Sequence, residues 1–261
     1  MTPPILLTGG TGTLGRIVVP GLREAGCTVR LLSRRGHESR DGIEYVTGDL
    51  ATREGSTPQW TGPRPSCTSR AAPRGDEDKA RNVVRAASGV GVKHLVYISV
   101  VGADRIPVVS GIDRAMFGYF AAKRAAELIV SDSGLPWTIL RATQFHDFVL
   151  ALVQPMARLP VVPTFAGVRF QPVDARDVAT RLVELSLGEP SGLVPDIGGP
   201  RVYEMKELVR SYLKATHRHR LIMPVRTPGK AARAYRTGAN LAPERAVGQR
   251  TWEDFLTERL R

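Results

Sequence analysis

Along the first 145 positions apolar residues follow two alternating rhythms. Short continuous runs bounded by turn residues give way to longer segments in which apolar positions recur every three or four places. "PILLT" (4–8), "TVRLLSR" (28–34), "IEYVTGDL" (43–50), "VKHLVYISVVG" (92–102) and "PWTILRATQF" (136–145) are of the first kind. They predict strands of the sort buried on both faces of a parallel sheet. "TLGRIVVPGLREAG" (13–26), "DEDKARNVVRAASGVG" (76–91) and "YFAAKRAAELIVSDSG" (119–134) are of the second kind and predict helices. Strand and helix in this alternation imply an α/β fold, a doubly wound parallel sheet with right-handed crossovers.

After Phe145 the rhythm changes. "LPVVPTFAGVRFQPVD" (159–174) is punctuated by proline and reads as irregular, "ARDVATRLVELSLGEP" (175–190) as helical and "LVPDIGG" (193–199) as a late strand. "VYEMKELVRSYLKATH" (202–217) and "TWEDFLTERLR" (251–261) predict amphipathic helices. One stretch breaks the earlier alternation. Where a fourth strand is due, between "GDL" and the helix at Asp76, the chain reads "STPQWTGPRPSCTSRAAPRG", with Pro58, Pro63 and Pro65. Proline cannot donate to a ladder and is kept out of central strands.

Composition changes this picture little. With 261 residues, 42% hydrophobic and 24% charged, the chain is of ordinary globular type. No apolar run approaches the roughly 20 residues of a membrane span, and "MTPPILLTGG" lacks the form of a signal peptide, so no membrane association and a cytoplasmic location are expected. Cys27 and Cys67 form neither a disulfide framework nor a metal-ligand spacing. The net charge is +12, and ten Lys/Arg against two Glu lie between Arg201 and Arg236. No nucleic-acid-binding signature accompanies them, which favours a solvated basic surface over a nucleic-acid partner. His217 and His219 have no cysteine or carboxylate near in sequence, so no metal site is expected.

"ILLTGGTGTLGR" places Gly9, Gly12 and Gly15 in a G-x-x-G-x-x-G array after a strand and at the start of a helix. Glycine permits the turn and lets the backbone close on a pyrophosphate, while the helix N-terminus offers N–H groups and partial positive charge. The second strand ends Ser33-Arg34-Arg35, without the carboxylate that holds the ribose of NAD. Arginine there suits a 2′-phosphate, so NADP is favoured over NAD. Asp49 either faces the adenine edge or caps a helix. Tyr119 and Lys123, four apart in "GYFAAK", share a helix face. An ammonium beside a phenol, whose ordinary pKa is about 10, draws it toward working range. Ser99 ends the strand "LVYIS" at the carboxyl edge, where open α/β sheets bind ligands. Ser99, Tyr119 and Lys123 could thus converge on a carbonyl. His146 and Asp147 either line a pocket or are structural.

"TGGTGTLG", "GDL", "VKHLVYIS", Y-x-x-x-K, "LPWTILRATQF" and "PVDARDVA", in this order over nearly the whole chain, resemble the atypical short-chain dehydrogenase/reductase family. The likeness is to its NmrA-like branch, with bacterial nucleoside-diphosphate-sugar-epimerase-like members. The resemblance implies a Rossmann domain over residues 1–145, rejoined at about 171–200, with a smaller, mostly helical substrate-side region over 146–261. It implies cofactor binding by Thr8, Gly9, Gly12, Thr13, Leu14, Gly15, Arg34 and Asp49, and chemistry by Ser99, Tyr119 and Lys123. The expected function is NADP(H)-dependent reduction of a small carbonyl or quinone. Because the branch also holds members without turnover, the alternative is an NADP(H)-sensing regulator with a protein partner.

The resemblance also implies an apolar fourth strand ending in an element such as His-Leu-Ala. Back-translated with a choice of GC-rich codons and read two bases later, the stretch from Ser56 can spell "DAAVDGAEAVLHLAG", a helix and then that strand. Residues 56–72 therefore read as an out-of-frame segment replacing the fourth strand, the alternative being a true lineage-specific loop. Codons incompatible with the second frame would refute this.

Overall fold

The computed structural model describes residues 4–34, 38–39, 42–48, 76–89 and 91–260. The chain forms two compact units. One comprises Met1–Ser99, Ala122–Leu140 and Val178–Val194, the other Val100–Ala121, Arg141–Asp177 and Pro195–Arg261.

In the first unit β1 (Ile5–Thr8) is wholly buried and pairs in parallel with β2 (Val29–Ser33), which pairs in parallel with β3 (Ile43–Thr47). Between β1 and β2 runs α1 (Gly15–Glu24), which buries Val18, Val19 and Leu22 at helical spacing. α2 (Asp76–Gly89) opens on Asp76, Glu77 and Asp78, acids that suit the positive end of a helix. β4 (Leu95–Val100) is buried at all six positions, as its unbroken apolar run predicts. β5 (Trp137–Ala142) lies between β4 and the short parallel β8 (Gly192–Leu193). α3 (Gly111–Ser131) and α5 (Ala175–Leu187) each start in the second unit and end in the first. This is the expected Rossmann-type α/β fold.

Leu6 of β1 shares an apolar cluster with Leu95 and Tyr97 of β4 and with Ala80, Val83 and Ala86 of α2. Among the described residues, β1 and β4 each carry a ladder on one side only. The strand expected between them falls at residues 56–72, which lie outside the described residues.

In the second unit α4 (His146–Met156), α6 (Met205–Ala215), α7 (Lys230–Arg236) and α8 (Trp252–Arg259) enclose an apolar core that includes Val149, Val153, Leu208, Trp252 and Leu256. Reciprocal capping boxes, Glu204 with Glu207 and Thr251 with Asp254, start α6 and α8. The region read as irregular holds two strands. β6 (Val161–Phe165) pairs in parallel with β10 (Leu221–Val225), and β7 (Arg169–Phe170) pairs antiparallel with β9 (Tyr203–Glu204). Proline fits at Pro163 and Pro224 because a two-stranded sheet leaves each strand an open side that needs no donor. The "LVPDIGG" strand shrinks to β8 and a single parallel bridge from Ile197 to Ala142.

Buried side chains tie the connections of this unit to one another. The carboxamide of Gln171 donates to the carbonyls of Gly199 (2.8 Å) and Ala242 (3.1 Å) and accepts from the Ala242 amide (2.8 Å). Asn240 donates to the Arg169 carbonyl at 2.8 Å.

Of the two roles left open for His146, the structure places it in the core. Its ring stacks on Phe255 at 5.0 Å and tilts against Trp252 at 6.0 Å, and neither ring nitrogen has a hydrogen-bond partner among the described residues. Burial pushes its pKa down to about 4; the Arg250 charge adds to this, and Asp174 opposes it. The unfolded chain, with an ordinary value of 6.5, binds the extra proton first as pH falls. Stability is therefore full above that value and is lost as pH falls from 6.5 to 4, by about 3 kcal/mol. His146→Phe should flatten this acid limb in denaturant melts taken across the same range. An unchanged pH slope would remove His146 as its source.

Candidate cofactor and active site

The loop from Gly9 to Gly15 joins the carboxyl end of β1 to α1. Gly9 takes φ +72°, a conformation natural to glycine, and its carbonyl accepts from the Gly12 amide at 2.9 Å. A side chain at Gly15 would meet backbone: a Cβ there would lie 2.4 Å from the Gly9 carbonyl oxygen and 2.5 Å from Gly10 Cα. At Gly10 it would meet Leu31 Cδ2 at 2.5 Å. The loop thus packs backbone on backbone.

Leu14, at the cap position of α1, makes no side-chain capping bond. The amides of Thr13, Leu14 and Gly15 donate to no acceptor among the described residues. Three N–H groups at the positive end of a helix, with no acceptor among the described residues, fit an anionic diphosphate. The residues present therefore suit a dinucleotide. Thr8 is buried at the end of β1, and Arg34 is exposed just past β2, whose Leu32 pairs with Thr8. Asp49 lies outside the described residues.

Ser99 is buried near the end of β4, and its hydroxyl has no hydrogen-bond partner among the described residues. Lys123 is also buried, and its Nζ donates to the Tyr97 hydroxyl (3.1 Å) and to the carbonyl of Ile98 (3.1 Å). It also faces Asp76 Oδ2 at 3.4 Å, each of the two side chains being only 1% exposed. Burial presses the ammonium below its ordinary value, and the charge of Asp76 opposes that pressure. The structure thus brings Lys123 beside the strand segment that carries Ser99. Tyr119, one turn earlier on α3, belongs to the second unit, where it makes an edge contact with Phe120 and packs against the apolar cluster.

Asp76 and Tyr97 are the residues that sequence reasoning missed. Tyr97 had a signal, since it stands two before Ser99 on the same strand and so shares its face. Asp76, 47 positions from its partner, had none beyond being the first acid of a helix.

Fold and loop together define a dinucleotide-binding protein of Rossmann type. The chain belongs to the NAD(P)H-binding family, whose family model matches residues 9–184, in line with the resemblance carried by the motifs. NAD(P)H is the cofactor of this family. The chain is 30% identical over 208 residues to the (4-alkanoyl-5-oxo-2,5-dihydrofuran-3-yl)methyl phosphate reductase of Streptomyces griseus subsp. griseus, a match covering 78% of this chain and 70% of that protein. It spans between 63% and 70% of the length of the first three curated relatives it matches.

Its fold is that of the NADPH-dependent quinone oxidoreductase QOR2 of Escherichia coli, solved with NADPH, at a TM-score of 0.82 and 18% identity over 98% of this chain and 100% of that one. It is also that of the Citrobacter sp. triphenylmethane reductase complexed with NADP(H), at a TM-score of 0.76 and 18% identity over 98% of this chain and 99% of that one. No helix among the described residues is long and apolar enough to cross a membrane.

Proposed function

We propose that the chain is an NADP(H)-dependent oxidoreductase that reduces a small carbonyl or quinone. The observation that carries this reading is the glycine loop, with three amides left for a diphosphate, beside a β2 end that offers Arg34 and no carboxylate. Family membership and the reductases among the relatives support it. NADPH, when bound, supplies the hydride. In this reading Thr13, Leu14 and Gly15 hold the diphosphate and Arg34 meets the 2′-phosphate. The buried hydroxyl of Ser99, which has no partner among the described residues, donates to the substrate oxygen. Tyr119 delivers the proton, and the Lys123 ammonium, bonded at the Ile98 carbonyl, supplies positive field near that oxygen.

A general acid contributes about 10²- to 10⁴-fold. Tyr119→Phe should therefore lower turnover with a responsive quinone or carbonyl by about that factor, while NADPH titration gives an unchanged Kd. Full turnover in the variant would remove Tyr119 from the mechanism, and tighter binding of NADH than of NADPH would remove Arg34 from its role.

One observation favours a second reading, an NADP(H)-sensing regulator that does not turn over. The Nζ of Lys123 is already engaged by Tyr97, Ile98 and Asp76, the set of partners of a lysine that braces the fold rather than of one held ready for chemistry. Tight NADPH binding with no oxidation across a panel of carbonyls and quinones would select this reading.

A further inference from the structure

The β6–β10 pair has two apolar faces. On one, Val162 is fully buried and Ile222 packs against the core of its unit. The other face meets solvent. Leu221, Met223 and Val225 alternate along β10 and so share it, and the parallel register sets Leu221 beside Val161 and Met223 beside Pro163. Exposure there reaches 74% at Leu221 and 52% at Met223, and Val161 and the preceding Leu159 are also exposed. Contiguous apolar surface of this kind marks an interaction site, whereas scattered exposed residues do not.

The rim of this face is basic. Arg218, His219 and Arg220 lead into β10, Arg226 follows it, and Arg158 ends the segment after α4; all five are exposed. No carboxylate among the described residues pairs with these four arginines. Where the two strands begin, Arg158, Pro160, His219, Arg220 and Leu221 line an open cavity of about 620 Å³. Two guanidinium groups and an imidazole around one cavity suit a phosphate, and the apolar residues beside it suit the chains attached to that phosphate.

Charge selects the occupant. A second copy on this face would set arginines against arginines in a chain of net charge +12. An anionic bilayer matches both features, since its surface attracts basic clusters and its interior accepts apolar side chains. We propose that the solvent face of β6–β10 is a peripheral docking surface for anionic membranes, with the Arg158–His219–Arg220 cavity receiving a lipid phosphate. The lack of a spanning helix bears only on crossing a bilayer, and lying on one requires none.

The test is co-sedimentation of the full chain with vesicles of phosphatidylglycerol or of phosphatidylcholine. Binding to the first and not the second is expected, weakening as salt screens the attraction. Arg218→Gln with Arg220→Gln should lower partitioning about fivefold per arginine. Leu221→Asp with Met223→Asp should abolish it, and because these side chains are exposed both variants should melt at the wild-type temperature.

Three results would overturn the proposal: no binding to phosphatidylglycerol vesicles, wild-type binding by both variants, or stabilisation by soluble glycerol phosphate without vesicle binding. A wild-type dimer in sedimentation velocity that Leu221→Asp dissolves would overturn it too, by assigning the face to a second copy.

Discussion

Replacing Gly15 with valine is expected to abolish NADPH binding while leaving a folded protein. The smallest side chain at this position would put its Cβ 2.4 Å from the Gly9 carbonyl oxygen and 2.5 Å from Gly10 Cα. Both are backbone atoms, so no rotamer change relieves the contact, and the loop must move away from α1. The stability cost is that of overpacking, about 1–3 kcal/mol. The binding cost is larger. Moving the loop takes the amides of Thr13, Leu14 and Gly15 out of line with a diphosphate, and each charge-assisted bond lost is worth about 1.5–3 kcal/mol. Losing two weakens binding about a hundredfold or more. Calorimetric titration with NADPH, beside a thermal melt, checks both parts. Gly118→Ala is the control: a Cβ there meets nothing within 4 Å, and alanine favours a helix interior by about 1 kcal/mol, so melting should rise slightly. Wild-type affinity in Gly15→Val would mean that the loop does not hold the nucleotide.

The second large effect is expected at the pair buried between α2 and α3. Asp76→Asn removes the nearest counter-charge of the Lys123 ammonium, with the buried Glu127 left to offset it in part, and breaking a buried pair by removing one partner costs about 3–5 kcal/mol. Lys123→Met should cost less, because Lys79, 4.0 Å from Asp76 Oδ1, still offsets the carboxylate. The double variant should recover a substantial part of the loss, since two neutral groups carry no unpaired charge, and chemical denaturation of all four proteins closes the cycle. The pH dependence has a definite sign. Burial holds the Lys123 value low in the fold, so between that value and 10.5 the unfolded chain binds more protons and stability rises with pH. Asp76 opposes the depression, so Asp76→Asn should start this rise at a lower pH than in the wild type. Additive single losses, with no recovery in the double variant, would show that the two side chains do not act as a pair.

The first unit was largely legible because its signals are local and agree. β1, the glycines and α1 follow one another within 24 residues, and β4 is an unbroken apolar run. The start of α3 was readable and passed over. Ser110 and Asp113 exchange amide and side-chain bonds, a capping pair visible in "SGID" that starts the helix at Gly111, ahead of the start read at Tyr119. The second unit was less legible, since its small sheets join strands far apart in sequence. "LIMPV" is short, carries a proline and follows three basic residues, and nothing local says that it pairs with Val161–Phe165. The site divides in the same way. The candidate glycines and the Tyr119–Lys123 pair were read from spacing and Ser99 from its place at a strand end, whereas the Asp76 contact depends on packing at long range.

Gln171 limits how this chain can diverge. Its side chain both gives and takes protons in hydrogen bonds with one backbone unit, at Ala242, and gives again to Gly199. Glutamate of the same size would lose the donors, and methionine would lose donors and acceptor alike. Insertions near either of those backbone units would have to return the same carbonyls to the same place. Drift in this half of the molecule is thereby steered away from the clasp and toward the outer strands, where one side chain can be exchanged for another without disturbing the connections beneath.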